Sequence, residues 1–261
     1  LLARIVADKK RRVAAAKQQL PLPALRKKIA AAPPLRSFAA ALEAPGISLI
    51  AEIKRASPSR GDFGLALPVG ELAARYRRGG ARAVSVLTEE DHFRGSVTDL
   101  IAVRQAVDLP VLRKDFIIDR WQLFETRLLP ADAVLLIAAL LPGKQLAEFL
   151  KVCHDLELDA LVETHSTEEV NRALEAGAGI IGINNRNLQT FEIDLALTER
   201  LAGLIPAGVL LVSESGFTTT SDVMRAESAG AKAVLVGEAL ARAADPVEAA
   251  RMLMGEVENG C

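Results

Sequence analysis

The chain has 261 residues, 50% hydrophobic and 25% charged, a composition that supports a large core and excludes general disorder. Thirty-two basic against 33 acidic side chains leave a net charge of −1, so no global field draws the chain to nucleic acid or to an anionic membrane. Two cysteines, Cys153 and Cys261, exclude a disulfide scaffold and a cysteine zinc site, and they suit the cytoplasm, where the protein is expected.

Residues 1–19, rich in Ala, Lys and Arg, predict a helix. Pro21 and Pro23 break it, a short basic helix follows, and Pro33 and Pro34 mark a boundary. Residues 37–43 predict a further short helix. The basic cluster from Lys9 to Arg12 reads as a solvated helix face rather than an anion site, given the neutral total charge. No signal-peptide pattern is visible, and the longest apolar run, 133–141, is too short to span a bilayer.

From Gly46 onward, short apolar runs alternate with helix-patterned segments. The runs are 48–54, 83–88, 110–116, 133–139, 159–165, 180–186, 210–216 and 233–239. Each is nearly continuously apolar, as in parallel strands buried on both faces. Helical stretches such as 69–78, 143–156, 167–176 and 220–229 separate them, and several close on a Gly-Ala pair. A strand-then-helix unit repeated eight times predicts an α/β protein, a (β/α)8 TIM barrel with an N-terminal helical extension. The expected organisation is one domain: extension 1–46, barrel 47–245, and a C-terminal helix and tail 246–261.

Active sites of such barrels form at the C-terminal ends of the strands. Polar residues gather there: Glu52, Lys54 and Ser57; Glu89 and Glu90; Lys114 and Asp115; Glu163; Asn184, Asn185 and Arg186; Glu214 and Ser215; Gly237 and Glu238. An ionisable group in an apolar strand is costly unless paired, and such a concentration at one end favours function over structure. Lys54 and Lys114 are the sharpest candidates for proton transfer or Schiff-base chemistry. Glu52 and Lys54, two apart on a strand, point the same way. The loops around Ser57, Gly216 and Gly237–Glu238 suit a phosphate, with the backbone of Glu238 facing the anion and its carboxylate turned away.

Other motifs are set aside. The glycines at 177, 179 and 182 match GxGxxG, but a helix precedes them and a strand follows, the reverse of a dinucleotide site. His92, His154 and His165 read as isolated, so no metal is expected.

Residues 50–61 (IAEIKRASPSRG), 86–96 (VLTEEDHFRGS), 112–123 (LRKDFIIDRWQL), 131–141 (ADAVLLIAALL), 161–165 (LVETH), 182–194 (GINNRNLQTFEID), 213–216 (SESG) and 236–240 (VGEAL) resemble, in order, the signatures of the indole-3-glycerol phosphate synthase family. The resemblance implies a cofactor-free lyase of tryptophan biosynthesis. Its reaction closes the ring of 1-(2-carboxyphenylamino)-1-deoxyribulose 5-phosphate, with loss of carbon dioxide and water. Carried over residue by residue, it makes Lys114 the acid that protonates the ketone oxygen. Lys54 and Glu163 become the proton donor and acceptor of dehydration, their division left open. Glu52 orients Lys54, while Asn184 and Ser215 position polar groups. Ser57, Gly216, Gly237 and Glu238 match the phosphate site, Arg186 a contact near the anthranilate carboxylate, and Phe93, Phe116 and Leu188 the apolar wall around the ring. The only partner expected is a small phosphorylated substrate, with no nucleic acid and no membrane, and the chain is expected to be a monomer. Two other readings are a different phosphosugar enzyme, an isomerase or Schiff-base aldolase, and a non-catalytic phosphate-binding barrel or assembly scaffold.

Overall fold

The N-terminal helix α1 (Leu2–Gln19) carries Ile5, Lys9 and Val13 at four-residue spacing, and all three are buried. This computed structural model describes residues 1–58, 61–187 and 190–256. Helix α2 (Leu22–Ile29) starts on Pro21, and its Leu25 packs with Val13, Trp121 and Phe124. Helix α3 (Phe38–Leu42) is capped by Ser37, whose hydroxyl accepts from the N–H of Ala40.

Eight parallel strands close into a barrel: β1 (Ser48–Ile53), β2 (Ala83–Leu87), β3 (Val111–Lys114), β4 (Ala133–Ile137), β5 (Asp159–Thr164), β6 (Ile180–Asn184), β7 (Leu210–Glu214) and β8 (Ala233–Val236). Closure comes from β1 pairing with β8 on one side and β2 on the other. The predicted barrel is therefore present. The strands end earlier than the apolar runs: at most of them polar residues at the rim leave the ladder, and after β4 a 3-10 turn over Ala138–Leu140 ends it. Asp115, predicted within a strand, turns back to accept the N–H of Phe116 at 2.8 Å.

The helices between strands are α4 (Val69–Arg78), α5 (Val97–Ala106), α6 (Arg120–Leu128), α7 (Gln145–Asp155), α8 (Thr167–Glu175), α9 (Ala196–Ala202) and α10 (Thr220–Ser228), with α11 (Glu238–Ala241) and α12 (Pro246–Leu253) after β8. Ser96, Asp119, Ser166 and Thr219 cap α5, α6, α8 and α10 through their side chains, so the loops at the strand C-termini run directly into helix starts. Gly80, Gly177 and Gly230 hold positive φ where α4, α8 and α10 end.

Strand periodicity sorts the side chains. Ile50, Ala83, Leu112, Ala133, Leu135, Leu161, Ile180, Val212, Ala233 and Leu235 fill the barrel with Phe38 and Leu42 packed among them. Asp159 accepts the N–H groups of Phe38 and Ala39 at 2.8 and 3.0 Å, holding α3 to the start of β5 and so plugging the N-terminal end. The alternate residues, such as Leu49, Val84, Val111 and Val234, pack against the helices. No helix among the described residues is long and apolar enough to cross a membrane.

Candidate active site

The inward register continues past the apolar layers into charge. Two residues beyond Ile50 stands Glu52, then Lys54. Lys114 follows Leu112, Glu163 follows Leu161, Gly182 and Asn184 follow Ile180, Glu214 follows Val212, and Gly237 follows Leu235. All of these rim residues but Gly182 line one cavity of about 340 Å³ at the C-terminal mouth, a size suited to a small organic phosphate.

Lys114 lies at its centre. Its Nζ is 3.0 Å from Glu163 Oε2 and 2.9 Å from Glu214 Oε2. Burial works against the ammonium, but the carboxylates of Glu214, Glu163 and Glu52 outweigh it and hold the lysine above its ordinary range. Burial also opposes ionisation of Glu163, yet Lys114 and His165 prevail and keep its pKa below the usual carboxylate value. Glu214 goes the other way. Burial, with Glu163 nearby, exceeds the pull of Lys114 and pushes it up to about 7. Lys54 makes a second pair, 2.9 Å from Glu52 Oε1.

Two glycines make room for these carboxylates. A Cβ at Gly182 would stand 2.2 Å from Glu214 Oε1, and one at Gly237 would stand 2.4 Å from Glu52 Oε1. The missing side chains let both acids reach inward.

The surrounding wall is mixed. Phe93 and Phe116 face each other with ring centroids 6.0 Å apart. Arg186 donates its N–H to Asn184 Oδ1 at 3.0 Å, and its Nη2 is 3.4 Å from Glu238 Oε2. The other oxygen of Glu238 is 3.6 Å from Arg242 Nε. Ser57, Ser215, Gly216, Gly237 and Glu238 line the same cavity, and Ser215 holds a left-handed backbone with φ of 69°.

Every expected site residue that the structure describes therefore lines this mouth: Glu52, Lys54, Ser57, Phe93, Lys114, Phe116, Glu163, Asn184, Arg186, Ser215, Gly216, Gly237 and Glu238. Leu188 lies outside the described residues. Other members of the rim cluster serve the frame. Glu89 accepts the N–H groups of Asp91, His92 and Phe93 and closes the loop after β2. Asn185 bonds Ser213 and Thr198 behind the sheet. Asp115, one residue beyond Lys114, pairs with Lys9 at 2.8 Å and Arg113 at 3.2 Å.

That pairing corrects the reading of Lys9 as part of a solvated face: it is 5% exposed. Its place between Ile5 and Val13 on one helical stripe was the available signal. The reading of His92 and His165 as isolated is corrected too. His92 Nε2 lies 3.0 Å from Asp8, and His165 sits between Glu163 and Glu169. Among the described residues no group of three His, Cys, Asp or Glu is arranged to hold a metal ion.

Sequence reasoning placed Glu214 in the rim cluster without a role, although it shares the inward parity of Val212, a signal present in the strand pattern, and it passed over other cavity residues. Leu1, Leu2 and Ile5 arrive from α1, and Arg242 from beyond α11, with no local pattern to announce them.

Replacing Glu214 with glutamine tests its raised pKa. Protons bound by the folded state between the ordinary carboxylate value and about 7 stabilise at low pH, and that contribution is lost as pH rises through about 7. The stability of Glu214→Gln relative to the parent should therefore climb from pH 5 to pH 8, as read by denaturant unfolding. A flat difference would place the group at its ordinary value.

The indole-3-glycerol phosphate synthase family model matches residues 2–253. The chain is 49% identical to the indole-3-glycerol phosphate synthase of Rhodococcus jostii over 91% of this chain and 88% of that one. It is 46% identical to the enzyme of the same name from Dehalococcoides mccartyi, over 97% of this chain and the whole of that one. Among solved structures it is similar in fold to a 3-hexulose-6-phosphate synthase, with a TM-score of 0.63, 18% identity, and coverage of 81% of this chain and all of the other.

Proposed function

Because the chain belongs to the indole-3-glycerol phosphate synthase family, and is thus a decarboxylating, ring-closing lyase of tryptophan biosynthesis, we propose a division of labour among its rim residues. The observation that carries it is Lys114 held between Glu163 and Glu214 at 3.0 and 2.9 Å.

Ring closure joins an aryl carbon to the ketone carbon, and negative charge develops on the ketone oxygen. Lys114 supplies a fixed ammonium for that oxygen and delivers the proton as charge accumulates. Loss of the aryl carboxylate as carbon dioxide then restores the ring. Dehydration needs one proton delivered to the departing hydroxyl and one removed from carbon. Lys54, oriented by Glu52, is the donor, and Glu163, kept ionised by Lys114 and His165, is the acceptor. Asn184 and Ser215 orient the substrate's polar groups.

The reacting carbons must be held in near-attack geometry, so both ends of the substrate need anchors. Phe93 and Phe116 contact the aromatic ring, and Arg186 its carboxylate. Backbone around Gly216, Gly237 and Glu238, with Ser57, holds the phosphate, and Arg242 supplies a nearby cation. Leu2 and Ile5 keep water from the mouth.

The test is a direct assay with the phosphorylated carboxyphenylamino ketose, with and without a chelator, following indole fluorescence. Glu163→Gln is expected to lower kcat by about 10²-fold or more while KM stays within about threefold. Turnover close to that of the parent would remove Glu163 from the proton-transfer scheme.

A further inference from the structure

Beyond the cavity mouth, the scheme leaves one buried titratable group unused: the imidazole at the end of β5. His165 follows Glu163 by two residues, so both side chains take the same side of the strand. It precedes Glu169, on the first turn of α8, by four. Its backbone N–H donates to Glu169 Oε2 at 2.7 Å, which fixes that carboxylate against the ring. The two ring nitrogens then face two acids: Nε2 is 3.5 Å from Glu163 Oε1, and Nδ1 is 3.4 Å from Glu169 Oε2. Both nitrogens are buried, and neither meets a partner in hydrogen-bond geometry, so each contact stands at ion-pair distance and depends on the charge of the ring.

We propose that His165 is a positioning residue, an imidazolium wedged between Glu163 and Glu169 that fixes the orientation of Glu163 and keeps its carboxylate ionised for proton transfer. This rests on the reading of Glu163 as the proton acceptor.

The charge balance supports the cationic form. A neutral ring has one nitrogen without a proton, which would leave a lone pair facing a carboxylate. An imidazolium gives each acid a cation. The groups facing the ring from neighbouring elements are Glu163 on its own strand, Glu169 on α8 and, one strand beyond β6, Glu214 on β7. Lys114 on β3 meets Glu163 from the far side, and Arg172 on α8 partly offsets Glu169. Burial by itself disfavours the charged ring, but the carboxylates of Glu169 and Glu163 exceed it and hold the histidine above its ordinary value. A second cavity, of about 790 Å³, reaches His165 and Glu169 from the side of Glu192, Asp194 and Arg200. The ring thus separates Glu163 from a polar space.

The experiment compares kcat against pH for the parent, His165→Asn, Glu169→Gln and Glu163→Gln. Without the imidazolium, Glu163 takes up a proton more readily, so its basic form requires higher pH. His165→Asn should move the acidic limb of kcat upward by about half a unit or more and lower the plateau by roughly three- to tenfold, with KM within about twofold. Glu169→Gln should move the same limb the same way by a smaller amount. If the limb is unmoved in His165→Asn while Glu163→Gln is crippled, the role of His165 is overturned and that of Glu163 stands. If Glu163→Gln turns over like the parent, both fall. Should His165→Asn not fold, proton NMR decides: the chain has only three histidines. In the parent, His165 should titrate above about 6.5, and in Glu169→Gln it should titrate lower. A value at or below about 6.5 in the parent overturns the proposal.

Discussion

Lys114→Met is expected to lower kcat by about 10³-fold, within the span found for a general acid, while KM for the phosphorylated ketose changes little. The substitution removes the only ammonium within 3.0 Å of both Glu163 and Glu214 among the described residues, and leaves the proposed phosphate and ring contacts in place. A fall in affinity matching the fall in turnover would make Lys114 a binding group instead. The same variant carries a signature in stability. Breaking a buried ion pair from one side costs about 3–5 kcal/mol when the remaining charge stays unpaired. Here the remaining charges can take up protons, since Glu214 already stands near 7 with the lysine present. Without the lysine both carboxylates take up protons more readily than in the parent. Their contribution is then present at low pH and lost as pH rises. Lys114→Met should therefore be clearly less stable than the parent at pH 8, with the gap narrowing toward pH 6, as read by denaturant unfolding at both.

The largest loss of stability is expected one residue away. Asp115→Asn removes the anion shared by Lys9 at 2.8 Å and Arg113 at 3.2 Å. Thr88 Oγ1 also donates to it at 2.7 Å. Lys9 and Arg113 are 5% and 4% exposed, so neither can turn to water. Arg113 retains Glu125 at 2.8 Å and Lys9 retains Glu90 at 3.3 Å, which limits the damage. A cost of about 3–5 kcal/mol remains reasonable for breaking such a buried cluster. At this chain length that corresponds to a drop in Tm of about 10 °C. Activity should fall as well, because α1 is held over the mouth through Lys9. A Tm within about 2 °C of the parent would show that the cluster contributes little.

Asp115 and Lys114 together show how far strand pattern reaches. Adjacent residues on a strand take opposite faces, and Leu112 marks the inward side. Counting from it sends Lys114 into the barrel and Asp115 away. The same count sends Glu214 inward from Val212 and Asn185 outward from Ile180. Proximity of charged letters at the strand ends grouped all of these together, whereas parity separates them. Glu89 needed more, since its carboxylate is consumed by three N–H groups of its own loop.

By itself, the chain's alternation of apolar runs and amphipathic segments determined a parallel eight-stranded barrel, because strands covered on both faces must be apolar throughout and each needs a helix to return the chain. It also determined where chemistry would sit, since charge in strands covered on both faces is costly unless paired, and it gathers where those strands meet the mouth. What only the tertiary structure decided is which charges face one another. Lys9 meets Asp115 across 106 positions of sequence, and Lys114 meets Glu214 across 100. His165 gained two carboxylate neighbours where the sequence showed a lone ring. Ion pairing depends on distances of a few ångströms between separate strands, and closure of the barrel, not spacing along the chain, sets those distances.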